Sequence, residues 1–98
     1  MAKSRVRTRR LWINVRFKVP PSIPQDEIID ELIASVRRGR KTGDYSLPRG
    51  WRAILEWRNK QDAEMRRGSW ETELEASAES SEGFDSAVIQ YLERRRNQ

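Results

Sequence analysis

Residues 11–19 alternate between apolar and polar side chains at every position. The apolar set is Leu11, Ile13, Val15, Phe17 and Val19, and the residues between them are Trp12, Asn14, Arg16 and Lys18. Because successive side chains of a β-strand point to opposite faces, this period of two predicts a strand with one buried face. Pro20 and Pro21 end the strand, since neither can donate a hydrogen bond to a neighbouring strand. Any fold for this chain must therefore cover one side of this strand and can leave the other side open.

Two later segments have the period of an amphipathic helix. The first is predicted over residues 24–38, with Ser22 as its N-cap and Gly39 just beyond its last turn. Its apolar stripe consists of Ile28, Ile29, Leu32, Ile33 and Val36. The second is predicted within residues 80–96, where Ser80 or Ser81 would cap it. Its inward side chains would be Phe84, Val88, Tyr91 and Leu92.

Two further strands are predicted after a loop over residues 39–50. Residues 51–58 place Trp51, Ala53, Leu55 and Trp57 on one face, and Arg52, Ile54, Glu56 and Arg58 on the other. A helix beginning at Trp51 is the alternative, but its apolar stripe would have to continue through polar residues near positions 58–62, so a strand is favoured. Residues 69–77 alternate again, which predicts a hairpin partner joined through a turn around residues 59–64. This strand would carry Trp70, Thr72, Leu74 and Ala76 inward, and Ser69, Glu71, Glu73 and Glu75 outward.

These elements give the order β-α-β-β-α in a single small α+β domain over residues 11–96, preceded by a flexible basic arm, residues 1–10. A strand–helix–strand unit is almost always a right-handed crossover between parallel strands. The hairpin strand would lie between them, giving the sheet order 1-3-2 with both helices on one face. The sequence thus predicts a split β-α-β, ferredoxin-like sandwich whose three-stranded sheet has its other face open to water.

The absence of two residue types limits the chemistry of the chain. Its 98 residues include no cysteine and no histidine. The usual zinc ligands and the commonest general base are therefore missing, and we expect no catalytic site, no metal and no cofactor. The sequence also contains no apolar run long enough for a membrane span and no apolar stretch of signal-peptide type, so we expect a cytoplasmic protein.

Positive charge is concentrated in a few segments. The chain carries 20 Lys and Arg against 15 Asp and Glu, a net charge of +5, and 16 of the cations are Arg, which favours bidentate contacts to phosphate or carboxylate. Trp12 shares its strand face with Arg16 and Lys18, an arrangement typical of a stacking platform for a nucleic-acid base. A partly covered surface or interface aromatic is the alternative interpretation. The other candidate binding residues are Arg5, Arg7, Arg9 and Arg10 in the arm, and Arg37, Arg38, Arg40 and Lys41 around the predicted helix end.

Two functions fit these features. The leading hypothesis is a small, non-enzymatic protein that binds DNA or RNA through its Arg-rich arm, the cluster at 37–41 and Trp12. Glu71, Glu73 and Glu75 argue against nucleic-acid binding, because at their predicted positions on the open side of the sheet they would repel phosphate. The alternative is a protein-interaction module, such as a small inhibitor or accessory protein of a phage or mobile element, that docks on an acidic partner. Either protein could form a homodimer through the free edge of the first strand.

Overall fold

The computed structural model describes residues 11–59, 64–80 and 83–98. They form three strands and three helices in the order β-α-β-β-α-α. The strands are β1 (Leu11–Lys18), β2 (Arg52–Asn59) and β3 (Glu64–Ser69), and the helices are α1 (Gln25–Thr42), α2 (Trp70–Ser80) and α3 (Phe84–Arg96). The α+β class predicted from the sequence is confirmed. None of the helices in these ranges is both long and apolar enough to cross a lipid bilayer.

The sheet is antiparallel throughout, with β2 in the centre and the order β1-β2-β3. The predicted ferredoxin-like arrangement, with parallel first and second strands and the order 1-3-2, is therefore wrong. The physical reason is the connection after α1. An 18-residue helix is about 27 Å long, and the nine residues 43–51 that follow could span at most about 30 Å. This segment is long enough to return the chain along the helix, and β2 begins at Arg52, directly opposite Lys18.

The strand predicted over residues 69–77 is also wrong. Most of this segment is α2, and the third strand lies just before it. Trp70, Leu74 and Ser77 recur at helical spacing and are all buried, although the first two also fit an alternating pattern. Strand β3, with the sequence EMRRGS, is almost entirely exposed and has no apolar alternation to reveal it. As a consequence, Glu71, Glu73 and Glu75 lie on α2 and not on the sheet.

The buried stripe predicted for α1 is confirmed, but both ends of the helix differ from the prediction. The N-cap is Pro24 rather than Ser22, and no side chain caps it. The helix continues past Gly39. A glycine is required there because the residue packs beneath Tyr45, where an added Cβ would overlap the phenol ring. Gly43 ends the helix instead, with a φ of 81° that favours glycine and an N–H that donates to the Gly39 carbonyl. The loop predicted from residue 39 therefore begins four residues later.

The core lies between one face of the sheet and the helices. Ile13, Ala53 and Leu55 contribute the sheet side, and each helix contributes buried residues of its own. Trp70 is fully buried, as predicted, and its indole N–H donates to Ser35 Oγ at 2.9 Å. Ser35 Oγ in turn donates to the Tyr45 carbonyl at 2.7 Å, so this buried polar group has both partners satisfied. Trp51 and Trp57 are only half-buried against the core.

The predicted second helix is α3, and its interior face is close to the prediction. Phe84, Val88 and Leu92 are buried, Tyr91 is half-buried, and Ile89 joins them. The helix begins after Gly83, which has a φ of 72°, and not after a capping serine. Its last turn holds Arg94, Arg95 and Arg96, which suit the negative end of the helix dipole.

Candidate nucleic-acid interface

One face of the sheet is not covered by any described element, and we call it the open sheet face. Strand residues that pair directly across a sheet point to the same side, so the register fixes the members of this face. Trp12, Arg16 and Lys18 lie on it together, as the alternation of the first strand predicts. The complete face consists of Trp12, Asn14, Arg16, Lys18, Arg52, Ile54, Glu56, Arg58, Met65, Arg67 and Ser69.

Paired residues divide the open sheet face into rows that cross the strands. Rows are about 7 Å apart along a strand, and neighbouring strands are about 4.8 Å apart. The face therefore measures about 20 Å by 10 Å on these spacings. From one end to the other, the rows are Trp12–Arg58–Met65, Asn14–Glu56–Arg67, Arg16–Ile54–Ser69 and Lys18–Arg52.

Large apolar side chains are exposed on this face. Trp12 is 49% exposed, Met65 53% and Ile54 37%, and the only other large apolar residue with comparable exposure in the described ranges is Phe17. Trp12 and Met65 occupy the same row and flank Arg58. Each of the three side chains on this face is paired with or next to a cation, so the face combines exposed apolar surface with positive charge.

The charge of the open sheet face is strongly positive, with five Lys and Arg and a single carboxylate. That carboxylate, Glu56, accepts a hydrogen bond from Asn14 Nδ2 at 3.3 Å and lies 3.6 Å from Arg67 Nε. Arg16, Lys18 and Arg52 have no ion pair with any residue that the structure describes. The one negative charge is therefore compensated, whereas these three cations remain available to an anion.

The predicted cluster at 37–41 lies on the last turns of α1 and not in a loop. Arg37 pairs with Glu93 at 3.3 Å, and Arg40 pairs with Asp85 at 3.1 Å. These bridges connect α1 to α3, which pack against each other more extensively than any other two helices of the described ranges. Both partners lie far along the chain, so no sequence pattern could have revealed them.

Arg38 and Lys41 complete this cluster. Arg38 donates to the backbone carbonyls of Asp44 and Ser46 and lies 3.5 Å from the Asp44 carboxylate. Hydrogen bonds from Ser46, with the Arg38 charge nearby, lower the pKa of Asp44 below its ordinary value. Lys41 is the only cation of the cluster without an ion pair in the described part of the chain.

The remaining site predictions fall elsewhere. Arg5, Arg7, Arg9 and Arg10 lie outside the described residues, and the chain that carries them joins β1 next to Trp12. The glutamates predicted for the sheet are on α2, where Glu73 reaches the inner side of the sheet and accepts from the Trp57 indole N–H at 3.5 Å. Because these glutamates are not on the open sheet face, that face is more basic than the sequence predicted.

Sequence reasoning missed Met65 and Arg67 as members of the site. Their strand has no buried apolar face, and a period-two pattern needs one to be recognised. The only signal was their position after a polar turn that follows a strand of clear alternation. Among the described residues, no group of three or more acidic side chains is placed to hold a metal ion.

Comparison with known proteins adds no assignment to this geometry. No protein-family model matches the chain, and no curated protein or solved structure is significantly similar to it.

Proposed function

We propose that this chain is a small, non-enzymatic, cytoplasmic nucleic-acid-binding protein whose main contact surface is the open sheet face. The observation that carries the proposal is the coincidence, on one uncovered surface, of five cations with three exposed apolar side chains. Cations can bind the phosphates of a nucleic acid, and exposed apolar side chains can stack on its bases. An exposed tryptophan such as Trp12 would not improve solubility, so solubility alone does not explain this surface.

The chemistry of binding divides between these two kinds of side chain. Arg16, Lys18 and Arg52 would neutralise phosphates and release the counterions condensed on the nucleic acid, which supplies affinity without sequence preference. Trp12 would offer its indole ring to a base. The arginines at positions 5, 7, 9 and 10 would add further contacts to phosphates, in the manner of basic arms on other nucleic-acid-binding proteins.

The cluster at 37–41 has a secondary place in this proposal. Three of its cations already pair with carboxylates, so an incoming phosphate would have to compete with Glu93, Asp44 and Asp85. Lys41 remains a candidate contact. We therefore expect the face cations to contribute more to binding than those of α1.

One observation favours the alternative, a module that docks on an acidic protein. Strand β1 is at the edge of the sheet, and Phe17 is 38% exposed on it. An extended acidic segment could add to this edge as a further strand, and a second copy of the chain could do the same. Such an interface would be selective for its partner and would weaken less steeply with salt.

Salt-dependent binding to labelled oligonucleotides, measured by fluorescence anisotropy, tests the proposal. If four or five phosphates are neutralised, the log–log slope of affinity against salt should be about −3 to −4 on a single strand. Changing Arg16, Lys18 and Arg52 together to Gln should remove about 2 units of that slope. The control is conversion of Arg94, Arg95 and Arg96 to Gln, which removes the same charge from α3 and also breaks the ion pair between Arg96 and Asp30.

Two results would contradict the proposal. The first is no binding to DNA or RNA at micromolar protein in low salt, which would favour the protein-partner alternative. The second is an equal loss of slope in the face variant and in the α3 control, which would mean that overall charge and not the open sheet face drives binding.

A further inference from the structure

The open sheet face carries one residue that phosphate binding does not explain. Glu56 lies in the middle of it, on the central strand, with cations or polar groups in every neighbouring row. A carboxylate at this position repels phosphate, which the surrounding cations attract. A surface for phosphate alone would be better served by almost any other residue at this position.

Each carboxylate oxygen of Glu56 has one neighbouring donor. Its Oε1 accepts from Asn14 Nδ2 at 3.3 Å, and its Oε2 lies 3.6 Å from Arg67 Nε. Both partners are neighbours in the same row, one on each side. The side chain is 14% exposed, so it still reaches the surface. A carboxylate has about four acceptor positions, and these two contacts leave about two of them for a ligand.

The position of Glu56 relative to Trp12 indicates what that ligand group would be. The two residues are diagonal neighbours on adjacent strands, which places them about 7–8 Å apart. A base stacked on the Trp12 ring would extend its polar edge over the next row, where Glu56 lies. Carboxylates recognise bases by accepting hydrogen bonds from exocyclic amino groups, as in the contact between Glu or Asp and cytosine N4.

We propose that the ligand is a single-stranded nucleic acid, and that Glu56 selects a base with an exocyclic amino group at the Trp12 position. This inference rests on the proposed function and gives it a substrate class. Single strands are favoured because only an unpaired base can place its flat face on Trp12 and its hydrogen-bonding edge on Glu56. In a duplex, the flat face of each base is stacked on its neighbours and its Watson–Crick edge is paired. Cytosine, adenine and guanine each carry an exocyclic amino group, whereas uracil and thymine carry none, and their single N3–H donor lies between two carbonyl oxygens that a carboxylate repels.

The test compares unstructured oligonucleotides of about twelve nucleotides, a length within the range that small single-strand-binding domains cover. Oligo-C, oligo-A and oligo-U, together with their deoxy counterparts, would be titrated with the full chain at constant salt. We expect oligo-C and oligo-A to bind at least about fivefold more tightly than oligo-U, because a good base contact discriminates by about 1–3 kcal/mol. A duplex of the same length should bind more weakly than either.

The variant Glu56→Gln provides the second arm. Glutamine keeps the size of the side chain and adds an N–H₂ donor that can meet a carbonyl, so the preference over oligo-U should fall to about twofold or less. Overall affinity should rise, because a negative charge is lost. Glu31→Gln is the control, since it removes an exposed carboxylate from α1 and should raise affinity slightly while leaving the preference intact. Urea unfolding confirms that each variant is folded.

The outcomes separate the two proposals. Equal binding of oligo-C, oligo-A and oligo-U by the wild-type chain would overturn the role of Glu56 and leave the proposed function standing. The same holds for a preference that persists in Glu56→Gln. Duplex binding as tight as single-strand binding would overturn the substrate class. No binding to any of these nucleic acids would overturn the proposed function itself.

Discussion

The two faces of the sheet are formed by alternate residues of the same strands, and they differ in nearly every physical property. The inner face gives Ile13, Ala53 and Leu55 to the core. The open sheet face carries five cations and exposes Trp12, Ile54 and Met65 to water. Aromatic residues in this chain therefore have two separable uses. Trp70, below the inner face, stabilises the fold, whereas Trp12 is available to a ligand.

The charges of the molecule follow the same division. The three helices together carry ten Asp and Glu against seven Lys and Arg. The open sheet face has the opposite balance. A polyanion is therefore steered toward the sheet and away from α2, whose four charged residues are all glutamates. A domain of this charge distribution should approach a nucleic acid in one orientation.

The largest expected effect of mutation is on stability and concerns the inner side. Trp70→Ala should lower the free energy of unfolding by about 3–5 kcal/mol, because it leaves a large cavity and removes the donor to Ser35 Oγ. Trp12→Ala should cost less than about 1 kcal/mol. Urea unfolding of both variants measures the difference. A larger loss at Trp12 than at Trp70 would contradict the assignment of the faces.

The next effect is on binding and concerns the open sheet face. Trp12→Ala should weaken single-strand binding by about 1–3 kcal/mol, the usual value of a base–aromatic stack. The salt slope should not change, because stacking releases no counterions. Trp12→Phe, which keeps a ring, should recover most of the affinity. Anisotropy titrations at several salt concentrations provide both quantities, and an altered slope with unaltered affinity would argue against stacking.

A smaller effect is expected at Tyr45, where the core and not the surface is perturbed. Its hydroxyl is buried and has no hydrogen-bond partner among the described residues, so Tyr45→Phe should stabilise the fold by about 1 kcal/mol at neutral pH. Burial raises the pKa of the Tyr45 phenol, and the Asp85 carboxylate adds to the shift. The folded state therefore favours the neutral phenol. As the pH rises above the ordinary phenol pKa of about 10, the unfolded chain ionises first, and the free energy of unfolding falls.

Urea unfolding of wild type and Tyr45→Phe from neutral to alkaline pH checks this prediction. The gap between the two proteins should widen in favour of the variant as pH increases. If the gap stayed constant, the phenol would not be responsible for alkaline destabilisation. Oligonucleotide binding should be the same in both proteins, because Tyr45 lies in the core.

The smallest effect compares cations of α1 with those of the open sheet face. Arg40→Gln breaks a bridge to the mostly buried Asp85 carboxylate and should cost about 1 kcal/mol of stability. Its effect on affinity should be minor. Arg16→Gln should do the reverse, reducing affinity and leaving stability unchanged. Equal losses of affinity in the two variants would show that the α1 cluster contacts nucleic acid as directly as the sheet does.

Local periodicity predicted the parts of the fold that depend on a buried face. Ile13, Ala53 and Leu55 of the sheet, and the stripe of α1 from Ile28 to Val36, are buried as the sequence pattern predicts, whereas Phe17, on the apolar side of β1, is 38% exposed. Strand β3 could not be found in this way because an exposed edge strand has no apolar face. The alternation at Trp70 and Leu74 fits a strand and a helix equally well, and packing against Ser35 and the core decides between them.

The order of the strands depends on information that the pattern does not contain. A crossover and an antiparallel return begin with the same strand and helix, and only the path of residues 43–51 distinguishes them. The candidate site shows the same limit. Trp12, Arg16 and Lys18 share one strand and were predicted together, whereas Met65 and Arg67 join them only through pairing with β2.

Binding at the open sheet face can be tested most directly through the four tryptophan indole N–H groups of the chain. Each gives its own signal in a proton–nitrogen NMR spectrum, and only Trp12 lies on the open sheet face. On titration with a single-stranded oligonucleotide, we predict a large shift of the Trp12 signal. The Trp70 signal should hardly move, because Trp70 stays buried and hydrogen-bonded to Ser35. An unmoved Trp12 signal, with binding reported instead by residues of the helices, would contradict binding at the open sheet face.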